Sequence, residues 1–179
     1  MYPTDLHTVD EKMVESKAVI REALCRFTPH QIGIAWTGGK DSTLMLWLFR
    51  QVCQESSTPM PPCLFIDEGD CFEEVLEFVN RIKKEWSVPL VFAKNYDVWN
   101  KANGVGSVIN VHDLNERNRQ ELIKLDFEDP AFPFEPESYV CNHLMKTVTM
   151  NMFMEQFNIQ AVCTAIRKDE QSARAEETH

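Results

Sequence analysis

Apolar residues recur along this chain in two rhythms. From Val9 to Phe27, the residues Val14, Ala18, Ile20, Ala23, Leu24 and Phe27 fall near helical spacing among Glu, Lys and Arg, and the run halts before Pro29. That spacing predicts an amphipathic leading helix, which would cover one face of a sheet. Short continuous apolar runs follow at Ile32 to Trp36, Cys63 to Ile66, Pro89 to Ala93 and Ala161 to Ile166. Runs of that length read as buried strands. Helical patterns lie between them: from the loop after Trp36 to about Cys53, from Phe72 to Trp86, from Glu116 to Phe127, and from Cys141 through Met150, Met152, Phe153 and Phe157. Gln54 to Pro62, with three prolines and two serines, reads as a surface connection. Lys94 to Asn118, holding Gly104-Val105-Gly106 and the apolar patch Val108 to Val111, is weakly patterned and predicts a short helix or lid. Asp126 to Tyr139 carries three prolines and several acids, which predicts a long loop. Strands alternating with helices predict a single α/β domain, a mostly parallel sheet of about five strands with helices on both faces.

The sharpest feature interrupts the first strand. In Ile32-Gly33-Ile34-Ala35-Trp36-Thr37-Gly38-Gly39-Lys40-Asp41-Ser42-Thr43 an apolar run breaks into two glycines and a hydroxyl-rich turn, then resumes as Leu44-Met45-Leu46-Trp47-Leu48-Phe49. This predicts strand, glycine loop, helix. Gly38 and Gly39 allow positive φ and close approach of backbone N–H groups, and the helix N-terminus adds about half a positive charge aimed at the same point. Phosphate is the guest such a turn suits. Lys40 would neutralise a phosphate oxygen, the hydroxyls of Thr37, Ser42 and Thr43 would donate to others, and Asp41 would cap the helix or hold a hydrated Mg²⁺. The spacing is neither that of Walker A nor Gly-x-Gly-x-x-Gly.

Other chemistry clusters near predicted strand ends. Asp67, in Asp67-Glu68-Gly69-Asp70, follows the second strand, where open α/β sheets bind ligands, and would meet a ribose hydroxyl or Mg²⁺; Glu68 and Asp70 serve equally as caps of the next helix. Arg167, Lys168 and Arg174 follow the last strand and would hold an anionic group. Cys141 and His143 lack the further ligands that zinc needs.

Composition narrows the partners. The chain has 179 residues, 18 Lys and Arg against 28 Asp and Glu, and a net charge of −10, so its surface repels polyanions and excludes a nucleic-acid partner without a local basic patch. The six cysteines, Cys25, Cys53, Cys63, Cys71, Cys141 and Cys163, are far apart and read as reduced core thiols. No signal sequence opens the chain, and no apolar run reaches the roughly 18 residues of a membrane span. A cytoplasmic protein is expected.

Thr-Gly-Gly-Lys-Asp-Ser resembles the Ser-Gly-Gly-x-Asp-Ser loop of the PP-loop ATP pyrophosphatases, with Thr37 keeping the hydroxyl of the first Ser. These enzymes grip the β,γ-pyrophosphate of ATP while a nucleophile attacks the α-phosphorus. Phe65 to Phe78 is similar to the Val-Asp-Thr-Gly-x-x-Phe-x-Glu-Thr-x-x-Phe segment of the branch containing phosphoadenylyl-sulfate (PAPS) reductases and the small subunit of sulfate adenylyltransferase; Phe72, Glu74 and Phe78 match, while Glu68 and Val75 do not. Two later segments also resemble that branch: Cys141 to Thr147, which runs Cys-x-x-x-x-Lys-Thr here against Cys-x-x-x-Lys-Thr in the branch, and Arg167 to Arg174.

The resemblance covers about Ile32 to Arg174 and implies the adenine-nucleotide α-hydrolase-like fold. The hydrophobic spacing assigns 1–28 to the leading helix, and the resemblance implies a nucleotide-binding domain over 29–179 that is either minimal or lacks a C-terminal tail. ATP and Mg²⁺ are the expected cofactors. Lys40, Asp41, Arg167 and Arg174 are the expected catalytic residues, with Thr37, Gly38, Gly39, Ser42, Thr43, Asp67 and Lys146 completing the nucleotide site. The favoured activity is adenylyl transfer to a small anionic acceptor, sulfate or the phosphate of FMN. The alternatives are a PAPS reductase-like protein using a cysteine thiolate, and a non-catalytic nucleotide-binding subunit. A homo-oligomer or a GTPase-type partner subunit would complete the assembly.

Overall fold

The computed structural model describes residues 8–166. Its elements are α1 (Val9–Arg26), β1 (Ile32–Ala35), α2 (Lys40–Glu55), β2 (Cys63–Ile66), α3 (Glu73–Trp86), β3 (Leu90–Ala93), α4 (Tyr96–Trp99), β4 (Val108–Asn110), α5 (Glu116–Lys124), β5 (Ala131–Pro133), α6 (Tyr139–Asn142), α7 (Val148–Phe157) and β6 (Ala161–Cys163). A parallel four-stranded sheet in the order β3-β2-β1-β6 is flanked by helices, and β4 and β5 pair antiparallel as a separate ribbon. The α/β class is the one the strand–helix alternation predicts. The main sheet holds four strands where about five were expected. The predicted loop from Asp126 to Tyr139 is where the pattern misled: Ala131–Pro133 pairs with Val108–Asn110. A two-strand ribbon tolerates a proline, which lacks an N–H, at a strand end.

The described residues group into two compact units. The first comprises residues 8–63 and 159–166. Within it Ile32, Gly33 and Ile34 of β1 pair in parallel with Ala161, Val162 and Cys163 of β6. Ile32, Ile34 and Trp36 are almost wholly buried. Helix α1 opens with a capping box, in which Thr8 Oγ1 accepts from Glu11 N–H at 3.3 Å and Glu11 Oε2 accepts from Thr8 N–H at 2.7 Å. The predicted cover over a sheet face is slight, since Ile20 is the one fully buried residue of α1. The helix packs on α2 instead, and Lys17 and Arg21 both pair with Glu55, at 2.8 and 2.7 Å.

The second unit comprises residues 64–158. Its core gathers Val98, Ile109, Leu122, Phe132, Phe134 and Leu144, among others. Through it runs a buried polar network. Asn95 and Asn118, 2% and 1% exposed, exchange side-chain amide hydrogen bonds. Asn118 Nδ2 also donates to Asp97 Oδ2 at 2.7 Å, which accepts from Asn115 N–H at 2.8 Å, and Asp97 pairs with Lys101. The helix expected from Cys141 through Phe157 is interrupted: α6 and α7 are joined by a π turn at His143–Thr147. Among the described residues no helix is long and apolar enough to cross a membrane.

Burial pushes the Asp97 carboxyl up, but the Lys101 ammonium, the Asn115 N–H and the Asn118 amide outweigh it and hold the group below its ordinary value. A carboxyl depressed in the folded state adds stability that is fully present above its unfolded pKa of about 3.9 and is lost as pH falls through the folded value. Asp97→Asn should therefore lower the urea midpoint at pH 7 and flatten its decline below about pH 4. An acid limb as steep as that of the wild type would show that the network does not stabilise the charged form.

Candidate functional site

Helix α2 begins at Gly39, whose φ of −71° and ψ of 163° make it the N-cap, without a side chain to satisfy the first-turn N–H groups. Gly38 before it takes φ +77°, the left-handed region that favours glycine. The hydroxyls around these glycines close a ring. Gly39 N–H donates to Thr37 Oγ1 at 3.3 Å, Thr37 and Ser42 hydroxyls lie 3.0 Å apart, and Ser42 Oγ donates to Gly39 O at 3.1 Å. Because the one Ser42 hydrogen points to Gly39 O, Thr37 is the donor to Ser42. Thr37 N–H adds a further bond to Ser42 Oγ at 3.3 Å. Trp36 Nε1 donates to Thr43 Oγ1 at 2.9 Å, which ties the strand end to the second helical turn. Lys40 is exposed at the first helical position, and Asp41, half-buried, follows it in the first turn. Gly39 holds the N-cap position two residues before Asp41, so of the two roles expected of Asp41 the cap falls to the glycine.

In the second unit the carboxyl end of β2 carries two ion pairs. Asp67 Oδ2 meets Lys94 Nζ at 2.7 Å while its Oδ1 accepts from Gly69 N–H at 2.9 Å. The Lys94 ammonium also lies 3.7 Å from the centre of the Trp99 ring, a cation–π contact. Glu68 Oε2 meets Lys146 Nζ at 3.1 Å, from the π turn. Gly69 has φ +99°, and a Cβ there would lie 2.5 Å from the Trp99 ring and 3.2 Å from Phe134. Phe72, one of the residues that match the family segment, is the N-cap of α3 and 76% exposed.

The structure brings the first group of predicted residues, Thr37 to Thr43, into one loop. Asp67 and Lys146, expected at the nucleotide, each have a charged partner, Lys94 and Glu68. Lys94 was missed, as was Trp99, because both fall in the weakly patterned segment. Its available signal was position: Lys94 directly follows β3 as Asp67 directly follows β2. Arg167 and Arg174 lie outside the described residues. Cys141 is buried, its Sγ bonded to Pro133 O and Glu135 N–H at 3.4 Å each. His143 Nε2 lies 2.8 Å from Glu121, whose carboxyl is held low by hydrogen bonds from Lys124 and His143. All six cysteines are free thiols. Burial raises Cys53, Cys71 and Cys163, and pushes Cys63 up to about 12, with the Cys53 thiol adding to the effect.

A parallel sheet whose first strand passes through a glycine turn into an uncapped helix defines the class: an α/β protein with an anion-receptive strand–loop–helix unit. The model of the phosphoadenosine phosphosulfate reductase domain matches residues 31–179, and the chain belongs to that family. It is 26% identical over 163 residues to sulfate adenylyltransferase subunit 2 of Rhizobium meliloti (strain 1021), a match covering 91% of this chain and 44% of the relative. The subunit 2 of Citrobacter koseri is 28% identical over the same shares. The chain thus spans less than half the length of these relatives. Its fold is similar to Candida glabrata FMN adenylyltransferase in complex with FMN and the ATP analog AMPCPP, with a TM-score of 0.56, 15% identity and coverage of 92% of this chain and 44% of that one. It is likewise similar to a phosphate complex of PAPS reductase from Candida auris, with a TM-score of 0.56, 17% identity and coverage of 92% and 70%.

Replacing Gly69 by Ala forces a side chain into the Trp99 ring at an unfavourable φ. The expected loss is about 2–4 kcal/mol in denaturant unfolding, with altered near-UV dichroism from Trp99. Unchanged stability would mean that the turn relaxes without cost.

Proposed function

We propose that this chain binds ATP through the 37–43 loop and takes part in its cleavage between the α- and β-phosphates, with transfer of the adenylyl group to a small oxyanion. The observation that carries the reading is the loop itself: a left-handed Gly38, an N-cap that cannot cap, and an exposed Lys40 at the first position of a 16-residue helix. The N–H groups of that first turn and the Lys40 ammonium would hold the β- and γ-phosphates and stabilise the charge that develops on the departing pyrophosphate. An acceptor oxygen attacks the α-phosphorus in line, and the bond to the pyrophosphate oxygen breaks. Thr37 and Ser42 spend their hydroxyl hydrogens inside the loop, so they act by shaping it, whereas Thr43 engages Trp36 as an acceptor and keeps its own hydrogen to donate. Asp41 offers one carboxylate, a donor set that suits a hydrated Mg²⁺ drawing its other oxygens from water and the triphosphate. On the resemblance alone, Asp67, Lys146, Arg167 and Arg174 are further candidates for nucleotide and acceptor contacts. The relatives' naming as a subunit supports action alongside a further subunit.

The family match also supports a second reading, action on an adenylyl sulfate by a thiolate. Five of the six thiols disfavour it: burial raises Cys53, Cys63, Cys71 and Cys163, and Cys141 is enclosed with its sulfur hydrogen-bonded, while Cys25 is exposed. A nucleophilic cysteine needs the opposite shift.

Calorimetric titration of the chain with Mg·ATP and, separately, with phosphoadenylyl sulfate discriminates the two. Tighter Mg·ATP binding is expected, and Lys40→Ala should weaken it by about tenfold or more, the value of one lost charge-assisted contact, while the dichroism spectrum stays unchanged. Equal affinity in Lys40→Ala would remove the loop from the nucleotide site. Preference for phosphoadenylyl sulfate would move the chain to the reductase reading.

A further inference from the structure

The buried indole at the end of β1 sends its one hydrogen across the glycine turn. Trp36, 1% exposed, directly follows β1, and its Nε1–H donates to Thr43 Oγ1 at 2.9 Å, seven residues further along the chain. A buried indole N–H needs an acceptor, and here a half-buried hydroxyl supplies it.

That bond decides what the Thr43 hydroxyl can still do. A threonine in a helix divides between two rotamers because its oxygen can turn to the carbonyl three or four residues back. For Thr43 the carbonyl four back is Gly39 O, and both of its lone pairs are taken, by Thr43 N–H at 2.9 Å and by Ser42 Oγ at 3.1 Å. The Thr43 hydrogen has no opening there, and among the described residues no other group accepts it. One lone pair of the hydroxyl is filled, and its donor is unspent.

Side chains of a helix lean toward its N-terminus, so the Thr43 hydroxyl lies over the first turn of α2, where Gly39 and Lys40 begin the helix. Indole, hydroxyl and turn all fall within residues 36–43 of the first unit.

We propose that Trp36 is a positioning residue for the nucleotide loop: its indole N–H holds the Thr43 oxygen and commits that hydroxyl to donating its hydrogen to a phosphate oxygen on the first turn of α2. The inference rests on the nucleotide reading above. Trp36 touches no phosphate; it acts through Thr43. A chain running from indole N–H to hydroxyl to phosphate strengthens itself, because a hydroxyl that donates is a better acceptor. Without the indole hydrogen the hydroxyl is free to rotate, and the ordering that Trp36 supplies in advance falls on the binding step.

The test is a double-variant cycle on Mg·ATP affinity by calorimetry, with wild type, Trp36→Phe, Thr43→Val and the pair, each shown folded by dichroism. Lys40→Ala serves as reference. Thr43→Val keeps the shape and removes the hydroxyl, and it should weaken binding about tenfold, the value of one hydrogen bond to a charged group. Trp36→Phe should weaken it several-fold, and the pair no more than Thr43→Val alone, because residues acting through one contact are not additive. Thr43→Ser should restore the affinity. Losses that multiply, or wild-type affinity in the folded Trp36→Phe protein, overturn the inference. An aromatic that merely filled space would not produce this coupling. Where Trp36→Phe does not fold, nuclear magnetic resonance of the wild-type chain with isotope-labelled indole nitrogens answers instead. The Trp36 Nε1–H resonance, identified as the one that Thr43→Val displaces most, should move downfield on addition of Mg·ATP; a resonance left in place at saturation overturns the inference. If Thr43→Val binds as wild type while Lys40→Ala is weakened, the positioning role falls and the nucleotide reading stands. If Lys40→Ala also binds as wild type, both fall.

Discussion

Helix α2 begins at a residue that cannot cap it, and the glycine loop is arranged around that constraint. A capping side chain at Gly39 would occupy the first-turn N–H groups from within. The hydroxyls of Thr37 and Ser42 do not take that place; they close on each other and on the two ends of the Gly39 peptide unit. The loop's internal polar groups are thereby matched to one another, while Gly39 and Lys40 are exposed at the start of the helix. Donors fixed in place before an anion arrives need little reorganisation to hold it, which is where such sites gain their strength. Gly38 supplies the turn that the other residue types would adopt only with strain.

The second unit solves a related problem with charge. Asp67 and Glu68 leave β2 side by side, and each is met by a lysine, Lys94 from the end of β3 and Lys146 from the π turn. Lys94 is held on a second side by the face of Trp99, whose own position is set by a glycine that leaves it room. Beneath these pairs lies the amide network of Asn95 and Asn118, which ties α4, α5 and the π turn through hydrogen bonds of fixed direction. Directional bonds of this kind, fully satisfied, favour one arrangement of the elements over near alternatives.

Much of this was legible in the residues. The strands Ile32–Ala35 and Cys63–Ile66 stand out as apolar runs because both faces of a parallel strand are covered, and the loop stands out because two glycines followed by Lys-Asp-Ser interrupt such a run. The π turn was invisible, since Met, Leu and Thr suit a regular helix equally and the widening is imposed by partners 49 residues away in sequence. The ribbon of β4 and β5 escaped for a similar reason: three-residue strands, one ending in proline, have too short a pattern to rise above loop composition. Lys94 was hidden because its one signal, a place directly after β3, does not say which carboxylate it will meet. Long-range pairing, more than local preference, decided these cases.

The pairing of Ile32 with Ala161 also sets an order of events during synthesis. The 64–158 unit is one continuous stretch of chain, whereas the other unit needs β6 to return to β1 after nearly all of that stretch has been made. Contacts between such distant residues form slowly, because a long loop must close before they yield anything. On a ribosome, the middle of this polypeptide can gather its own core while the glycine-loop strand still waits for its neighbour to emerge. The segment bearing the glycine loop is thus among the last to gain its neighbouring strand, and until then its unpaired edge is open to wrong partners.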